Sequence, residues 1–236
     1  MLKIGTKFGP YEIAGVTVHP ILLVQQDSML SRPTGPLAYV LGHLWGWQHR
    51  ALTTWALDLM AVRPGDRVLD IGCGVGMALA RVQRATGTGF SAGLDHSPTM
   101  AKQAARRNRA AIGVGRAAVV CGDALSLPWG DGVFDQVSAM ETFYYWRDPL
   151  AGLREAHRVL KPGGQLAIVM EPSADVMPRR FSTRDHPAQE RVRRRVGFRM
   201  YGSDEMLALA RDAGFASARC ETRRRGFGWL CCLAGK

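Results

Sequence analysis

Three aspartates stand at or next to the ends of short apolar segments, the positions where open α/β sheets bind their ligands. Asp70 lies in the run Val-Leu-Asp-Ile and is followed by glycines at positions 72, 74 and 76. Glycines allow a sharp turn and the close approach of a ligand, because they have no Cβ. A carboxylate beside such a loop repels a phosphate and attracts a cation. We therefore predict a positively charged ligand without a phosphate at this loop.

The other two aspartates suit the remaining parts of a nucleoside. Asp95 follows Gly-Leu and can accept hydrogen bonds from both hydroxyls of a ribose, and Asp123 can accept one from the exocyclic amine of an adenine. Together the three aspartates predict a ligand with an ammonium or sulfonium group, a ribose and a base. The dinucleotide fingerprint GxGxxG is incomplete, since its third glycine falls on Met77. A nicotinamide enzyme remains the rival hypothesis.

An aromatic run with one carboxylate, Met-Glu-Thr-Phe-Tyr-Tyr-Trp at positions 140–146, follows the fourth predicted strand. Glu141, Tyr144 and Tyr145 are the candidate catalytic residues because they could contact a substrate, and Glu141 is the candidate proton acceptor. His49 lies near two tryptophans at helical spacing, a pattern that favours a surface or core residue over a catalytic one.

Short apolar segments alternate with amphipathic segments, which is typical of βαβ units and a parallel sheet. Predicted strands lie at 68–71, 90–95, 118–121, 134–139 and 165–170, and predicted helices at 76–85, 97–111, 148–160 and 203–213. Ser97 followed by Pro98, and the run Ser203-Asp204-Glu205, are the predicted caps of two of these helices. Segments 215–222 and 227–233 flank an arginine-rich turn and predict an antiparallel hairpin. The pattern predicts an α/β fold with a Rossmann-like, doubly wound sheet of seven strands, mostly parallel with an antiparallel C-terminal hairpin strand, plus a helical N-terminal extension.

The N-terminal quarter differs from this pattern. Residues 1–35 are rich in Gly, Pro and Thr and predict an irregular leader, whereas apolar spacing over 37–60 predicts two helices that meet near Gln48. We predict an N-terminal extension or helical lid over 1–62 and a ligand-binding domain over 63–236.

Composition and charge narrow the classes of protein. The chain has 236 residues, 47% of them hydrophobic, and a net charge of +11; 14 Lys and Arg against 6 Asp and Glu fall within 179–236. This excess favours anionic partners in a general way. The arginine runs at 191–195 and 223–225 are interpreted as a solvated face, and attraction of an anionic substrate, RNA or lipid headgroups, with peripheral contact to an anionic membrane, is the alternative. Five cysteines without a CxxC pair argue against a disulfide framework or a zinc site and for a reducing compartment. With no secretory signal, we expect a cytoplasmic protein without a bound metal.

Four motifs in order carry a resemblance to a known family. They are VLDIGCGVG at 68–76, LDHSPTM at 94–100, GDALSLPWGDGVFDQV at 122–137 and RVLKPGGQLAIV at 158–169. This set resembles class I S-adenosylmethionine-dependent methyltransferases, in particular the methyltransferase type 11 branch that includes the ubiquinone and menaquinone biosynthesis enzymes. The resemblance covers about residues 66–169.

The resemblance implies S-adenosyl-L-methionine as cofactor, S-adenosyl-L-homocysteine as product, and a role for each residue of the motifs. The methionine part would be lined by Asp70, Gly72, Cys73, Gly74 and Gly76. Asp95 would hold the ribose with His96 and Met100 beside the sugar or base, Asp123 and Ala124 would meet the adenine, and Met140 would approach the reacting sulfur.

The implied function is transfer of a methyl group to a small organic molecule by in-line displacement. Methylation of a membrane-associated lipid or quinone precursor is one alternative, and a non-catalytic cofactor-binding partner subunit is another. No nucleic-acid partner is expected, because an Asn-Pro-Pro-Tyr-type motif and an appended recognition domain are both absent from the sequence. The acceptor atom and the oligomeric state stay open.

Overall fold

Seven strands form one mixed β-sheet within the residues that the computed structural model describes, 11–13, 16–18, 49–176, 199–226 and 228–236. The strands of the chain are β1 (Tyr11–Ile13), β2 (Val16–Val18), β3 (Arg67–Ile71), β4 (Phe90–Asp95), β5 (Ala117–Cys121), β6 (Phe134–Met140), β7 (Leu160–Met170), β8 (Ser217–Arg223) and β9 (Trp229–Gly235). The helices are α1 (Arg50–Met60), α2 (Met77–Thr86), α3 (Pro98–Arg107), α4 (Arg109–Gly113), α5 (Pro149–Val159) and α6 (Ser203–Asp212), with a 3-10 turn at Phe143–Tyr145.

The order of the strands confirms the predicted doubly wound fold. The sheet runs β5-β4-β3-β6-β7-β9-β8, with parallel pairing from β5 to β7 and antiparallel pairing of β9 with both β7 and β8. The chain builds outwards from β3 to β5 and then returns to the other side of β3 with β6. The carboxyl ends of β3 and β6 therefore flank the point where the strand order reverses, which is where ligands bind in such sheets.

Helices cover both faces of the sheet, and its central strands bury apolar side chains on both sides, whereas the edge strand β8 is largely exposed. On one face α5 and α6 pack over Phe134 and Leu166, and on the other α1 packs over Val169 and Leu233. Helix α1 contributes Leu52, Trp55, Ala56 and Met60 to that second cluster. Helix α1, which lies within the predicted extension, thus shares a core with the sheet, and the division at residue 62 stays a prediction. The helix predicted before Gln48 lies outside the described residues.

Local signals in the sequence explain several boundaries. Ser97 accepts a hydrogen bond from the backbone N–H of Met100 at 3.4 Å, and Pro98 follows it as the first residue of α3, as predicted. The predicted helix to residue 111 is interrupted at Asn108, whose side-chain amide donates to the carbonyls of Ala104 and Gly76. Asn108 therefore ties the end of α3 to the glycine loop.

Two boundary predictions are wrong. Residues 11–13 and 16–18 pair as an antiparallel hairpin within the leader that we expected to be irregular, because Tyr-Glu-Ile and Val-Thr-Val are strand-forming triplets separated by only two residues. Strand β7 begins at Leu160, before the predicted start at residue 165, and its pairing with β6 shifts register between Phe134 and Gln136.

The cysteine prediction is wrong for one pair. The β8–β9 register places Cys220 opposite Cys232, and the two form a disulfide. Pairing across a hairpin depends on register, which cysteine spacing alone does not show. Cys73, Cys121 and Cys231 are free thiols, and the cysteine pattern consequently no longer supports a reducing compartment. In the described ranges, no helix is long and apolar enough to cross a membrane.

The start of α6 is also stabilised differently from the prediction. Ser203 was expected to cap the helix, but it is the first helical residue and the N-cap is Gly202. Asp175 instead accepts hydrogen bonds from the backbone N–H and the Oγ of Ser203, at 2.8 and 2.6 Å. The cap comes from a residue 28 positions earlier, which a local sequence signal could not reveal.

We expect Asp175→Ala to lower the free energy of unfolding by about 0.5–2 kcal/mol, the usual cost of losing a helix cap. The matched control is Asp212→Ala at the other end of α6, an exposed aspartate whose removal should change stability by less than about 0.5 kcal/mol. Urea unfolding of both variants measures the difference. Equal losses would show that Asp175 does not cap the helix.

Candidate active site

The glycine loop that joins β3 to α2 is built from left-handed backbone conformations. Gly72, Gly74 and Gly76 have φ values of +73°, +52° and +75°, a region that other residues adopt at a cost. The backbone N–H groups of Gly72 and Cys73 both donate to the carbonyl of Leu94, at 2.7 and 3.0 Å. The loop is therefore held against the carboxyl end of β4.

Close packing around two of these glycines also excludes a side chain. A Cβ on Gly72 would lie 2.2 Å from Oγ1 of Thr142, and one on Gly76 would lie 2.6 Å from Nδ2 of Asn108. A Cβ on Gly74 would meet no atom within 4 Å. The loop is thus packed at its two ends and open at its centre, and the open centre is the part that a ligand can approach.

Asp70 is a buried carboxyl at the end of β3. Its side chain accepts a hydrogen bond from Oγ of Ser138 on β6 at 2.8 Å, and only 1% of the residue is exposed. Burial raises the pKa of Asp70 to about 7, against the Ser138 hydrogen bond, which lowers it; the charge of Asp95 raises it further. Near neutral pH this carboxyl is only partly ionised, so a cation placed beside it would favour the charged form.

Asp95 fixes the loop from the end of β4. One carboxylate oxygen accepts from the N–H of Gly74 and the other from the N–H of Ser97, both at 2.8 Å. Burial raises the pKa of Asp95, and these two hydrogen bonds oppose the rise. Each oxygen keeps a second lone pair that a ligand hydroxyl could use. His96 is exposed, with Nδ1 3.9 Å from the Asp95 carboxylate.

The residues predicted to meet the base lie beyond β4 and β5. Asp123 is exposed and accepts a hydrogen bond from the N–H of Leu125 at 2.9 Å, while its other oxygen lies 3.5 Å from the guanidinium of Arg147. Ala124 is half-buried against the main core. Met100 is buried against Val75 of the glycine loop.

Two further predicted residues are buried or partly buried. The side chain of Cys73 is buried and packs towards β4, since a Cβ on Gly93 would lie 2.9 Å from the Cys73 sulfur. The backbone of Cys73, and not its sulfur, is therefore the part that lines the loop. Burial raises the pKa of its thiol well above the usual value, which argues against a nucleophilic role. Met140 is half-buried at the end of β6, against the cluster that contains α1.

Glu141 follows β6 in a strained conformation and is the centre of a polar cluster. Its φ is +58°, which costs a non-glycine residue about 1–3 kcal/mol. One side-chain oxygen accepts from the N–H of Glu171 at 2.5 Å, and the other from the hydroxyl of Tyr144 at 3.3 Å. Burial, and then the charge of Glu171, raise the pKa of Glu141 well above its ordinary value.

The predicted catalytic residues therefore lie together. The rings of Tyr144 and Tyr145 pack edge to face with centroids 4.6 Å apart, and burial raises the pKa of both phenols, which keeps them protonated. His49 lies with Nε2 3.6 Å from the Glu141 carboxylate, and burial lowers its pKa to about 4, so its ring is neutral.

Sequence reasoning missed several residues that shape the site. Ser138 is a polar residue between two apolar residues of a predicted strand, a signal that could have identified it. Thr142 and Glu171 gave no signal, because their roles depend on contacts with Gly72 and with Glu141. His49 was noticed but interpreted as a surface or core residue. Within the described ranges, no group of three or more His, Cys, Asp or Glu could hold a metal ion.

Comparison with known proteins identifies a methyltransferase domain over residues 69–168. The chain is 35% identical over 175 residues to an uncharacterised 37.1 kDa protein of Streptomyces fradiae, covering 71% of this chain and 48% of that protein, about half its length. It is 28% identical over 207 residues to the ubiquinone/menaquinone biosynthesis C-methyltransferase UbiE of Roseobacter denitrificans, covering 77% of this chain and 79% of that protein.

A similar solved structure is a methyltransferase from Haloferax volcanii in complex with the Trm112 methyltransferase activator. The TM-score is 0.67 at 28% identity, with 82% of this chain and 92% of that chain covered. The similarity therefore extends well beyond residues 69–168 and includes most of the sheet.

We expect Gly72→Ala to be more destabilising than Gly74→Ala by about 1–3 kcal/mol. Both substitutions force a side chain into a left-handed conformation, but only the methyl group at position 72 collides with Thr142. Urea unfolding of the two variants measures the difference. Indistinguishable stabilities would contradict the close packing of Thr142 on the loop.

Proposed function

Because the chain belongs to the class I S-adenosylmethionine-dependent methyltransferases and resembles UbiE, we propose that it transfers a methyl group from S-adenosyl-L-methionine to a small organic molecule. The observation that carries this proposal is the pair of buried carboxyls, Asp70 and Asp95, joined by the glycine loop at the point where the strand order reverses. The loop is open at Gly74, and the two carboxyls suit a ligand that has a cationic part and a ribose.

The residues of the site fit the parts of this cofactor in the order of the strands. Asp70 and the loop suit the amino-acid part, Asp95 suits the ribose hydroxyls, and Asp123 with Ala124 suits the adenine. Met140, at the end of β6, is the proposed neighbour of the sulfur. When bound, the cofactor supplies a methyl group on a positively charged sulfur, which an acceptor can attack in line.

The protein contributes to such a reaction mainly by holding the acceptor in line with the methyl group. A nucleophile held in line with a methyl group gains from effective molarities of roughly 10⁵–10⁸ M in model systems. Glu141, Tyr144 and Tyr145 follow β6, the strand that ends at Met140, and are the proposed contacts of the acceptor. Glu141 is the proposed proton acceptor, because its ionised form is a stronger base than an ordinary carboxylate when its pKa is raised.

Two arginines of the basic C-terminal quarter pack on tryptophans, which weakens the charge-based argument for a membrane-associated lipid or quinone precursor as substrate. Among the described residues, Arg223 stacks over the ring of Trp55 at 5.2 Å and Arg225 over the ring of Trp229 at 5.0 Å. These two arginines therefore have a packing role. Contact with an anionic membrane, a partner-subunit role, the acceptor class and a cytoplasmic location stay predictions from the sequence.

We expect Ser138→Ala to weaken the binding of S-adenosylhomocysteine, which keeps the ammonium group of the cofactor. The variant loses the hydrogen bond that lowers the pKa of Asp70, so a smaller fraction of Asp70 is ionised at pH 7. Because Asp70 is mostly ionised only above its pKa, the affinity of the wild-type protein for S-adenosylhomocysteine should rise between pH 6 and 8. The variant should bind about tenfold more weakly at pH 7 and approach wild type at higher pH. Calorimetry at several pH values measures both effects.

The control is Ser91→Ala, a buried serine on the neighbouring strand β4 whose hydroxyl makes no hydrogen bond in the described part of the chain. Its affinity and pH dependence should match wild type. Equal affinities of Ser138→Ala and wild type across this pH range would remove Asp70 from the cofactor site.

We expect methyl-labelled S-adenosylmethionine, incubated with the full chain and a metabolite extract, to give a labelled small molecule. Glu141→Gln should lower the rate of labelling by roughly 10²-fold or more, since it removes the proton acceptor, and leave S-adenosylhomocysteine affinity within about twofold. Glu221→Gln, an exposed glutamate on β8, is the control and should label like wild type. Absence of any labelled product with wild type would contradict the proposed function, and full activity of Glu141→Gln would contradict the role of Glu141.

A further inference from the structure

His49 contacts the candidate proton acceptor from a different element of the fold. It immediately precedes α1, and its Nε2 lies 3.6 Å from the Glu141 oxygen that accepts from Tyr144. The carbonyl of His49 accepts hydrogen bonds from the N–H and the Oγ1 of Thr53, at 2.8 and 3.0 Å. The backbone of His49 is thus fixed by the first turn of α1.

Helix α1 also reaches Glu141 by a second route. Trp55 of α1 packs against Trp229 of β9 with ring centroids 5.7 Å apart, and the indole N–H of Trp229 donates to the side chain of Glu171 at 3.0 Å. The backbone N–H of Glu171 in turn donates to Glu141 at 2.5 Å. One carboxylate oxygen of Glu141 therefore accepts from Glu171, whose side chain is held by a tryptophan that packs on α1, and the other lies 3.6 Å from His49 at the start of α1.

Among the described residues, the groups that lie against Glu141 are uncharged or acidic. Burial keeps the ring of His49 neutral, and Tyr144 and Tyr145 keep their phenolic protons, while Glu171 is a second acid. A neutral imidazole can offer one N–H, and the Nε2 of His49 lies 3.6 Å from the Glu141 oxygen, just beyond hydrogen-bond distance. An N–H next to this oxygen would favour the ionised form of Glu141 without protonating it, which is what a proton acceptor needs.

We propose that His49 is a positioning residue for the Glu141 carboxylate, and that the methyl acceptor is a group that loses a proton as it is methylated, an O–H or an N–H. This inference rests on the proposed function. As the acceptor oxygen or nitrogen bonds to the methyl carbon, the carbon–sulfur bond breaks with its electron pair to sulfur. The acceptor proton passes to the Glu141 carboxylate. The sulfonium cation and the carboxylate anion are thereby replaced by a neutral thioether and a neutral carboxyl group.

The experiment compares His49→Ala, His49→Gln and a matched control, His157→Gln. His157 is also partly buried and packs its ring edge to face on Phe215, and it lies in the last turn of α5, which leads into the amino end of β7. The rate of labelling of the extract by methyl-labelled S-adenosylmethionine is measured between pH 5.5 and 9, and S-adenosylhomocysteine affinity is measured by calorimetry on the same samples.

We expect wild-type labelling to rise with pH as Glu141 ionises. His49→Ala should lower the rate about 10- to 100-fold and move the midpoint of the rise to higher pH, because the ionised carboxylate loses a donor. His49→Gln, whose amide N–H can replace the imidazole donor, should recover most of the rate and the midpoint. His157→Gln should match wild type, and all variants should bind S-adenosylhomocysteine within about twofold of wild type.

Three results would overturn the inference. They are a wild-type rate and midpoint for His49→Ala, a loss of rate with an unchanged midpoint that His49→Gln does not recover, and a labelled product whose methylated atom carried no proton before the transfer, such as a quaternary ammonium formed from a tertiary amine or a sulfonium formed from a thioether. Failure of the proposed function is distinguishable, because the wild-type chain itself would then bind no S-adenosylhomocysteine or label no product.

Discussion

The site depends on the cost of burying two acidic side chains side by side. Asp70 and Asp95 lie at adjacent strand ends, each has its pKa raised by burial, and the charge of one raises the pKa of the other. Hydrogen bonds from Ser138 and from the backbone of Gly74 and Ser97 offset only part of this cost. A positively charged ligand between the strand ends would offset the rest. The arrangement is therefore poised for a cation and unsuited to a phosphate.

The glycine loop determines the shape of the site beside these two carboxyls. The N–H groups of Gly72 and Cys73 donate to the end of β4, and the N–H of Gly74 donates to the Asp95 carboxylate. The strand that carries Asp95 therefore also holds the loop in place. Thr142 closes the loop from the side of β6, which connects it to the strained Glu141. The residues proposed to bind the cofactor and those proposed to contact the acceptor are thus neighbours at the carboxyl ends of β3, β4 and β6.

The sequence predicted the sheet well because each strand and helix carries its own local pattern. The Ser97–Pro98 helix start and the glycine loop were visible for this reason. The predictions failed where a contact joins distant residues, as with the Asp175 cap on α6 and the Cys220–Cys232 pair. At the site, Asp70, Asp95 and Glu141 were found from residue type and position. His49 and Glu171 could not be assigned, because their proximity to Glu141 arises only when α1 packs against the sheet and β7 pairs with β6.

A crystal structure of the full chain with S-adenosylhomocysteine would test the role of the strand ends most directly. We predict the amino-acid part of the ligand beside Asp70 and Gly74, and its ribose hydroxyls within hydrogen-bond distance of the Asp95 carboxylate. A ligand bound elsewhere, or bound in this crevice with its ribose turned away from Asp95, would contradict the assignment of these carboxyls to a cationic nucleoside.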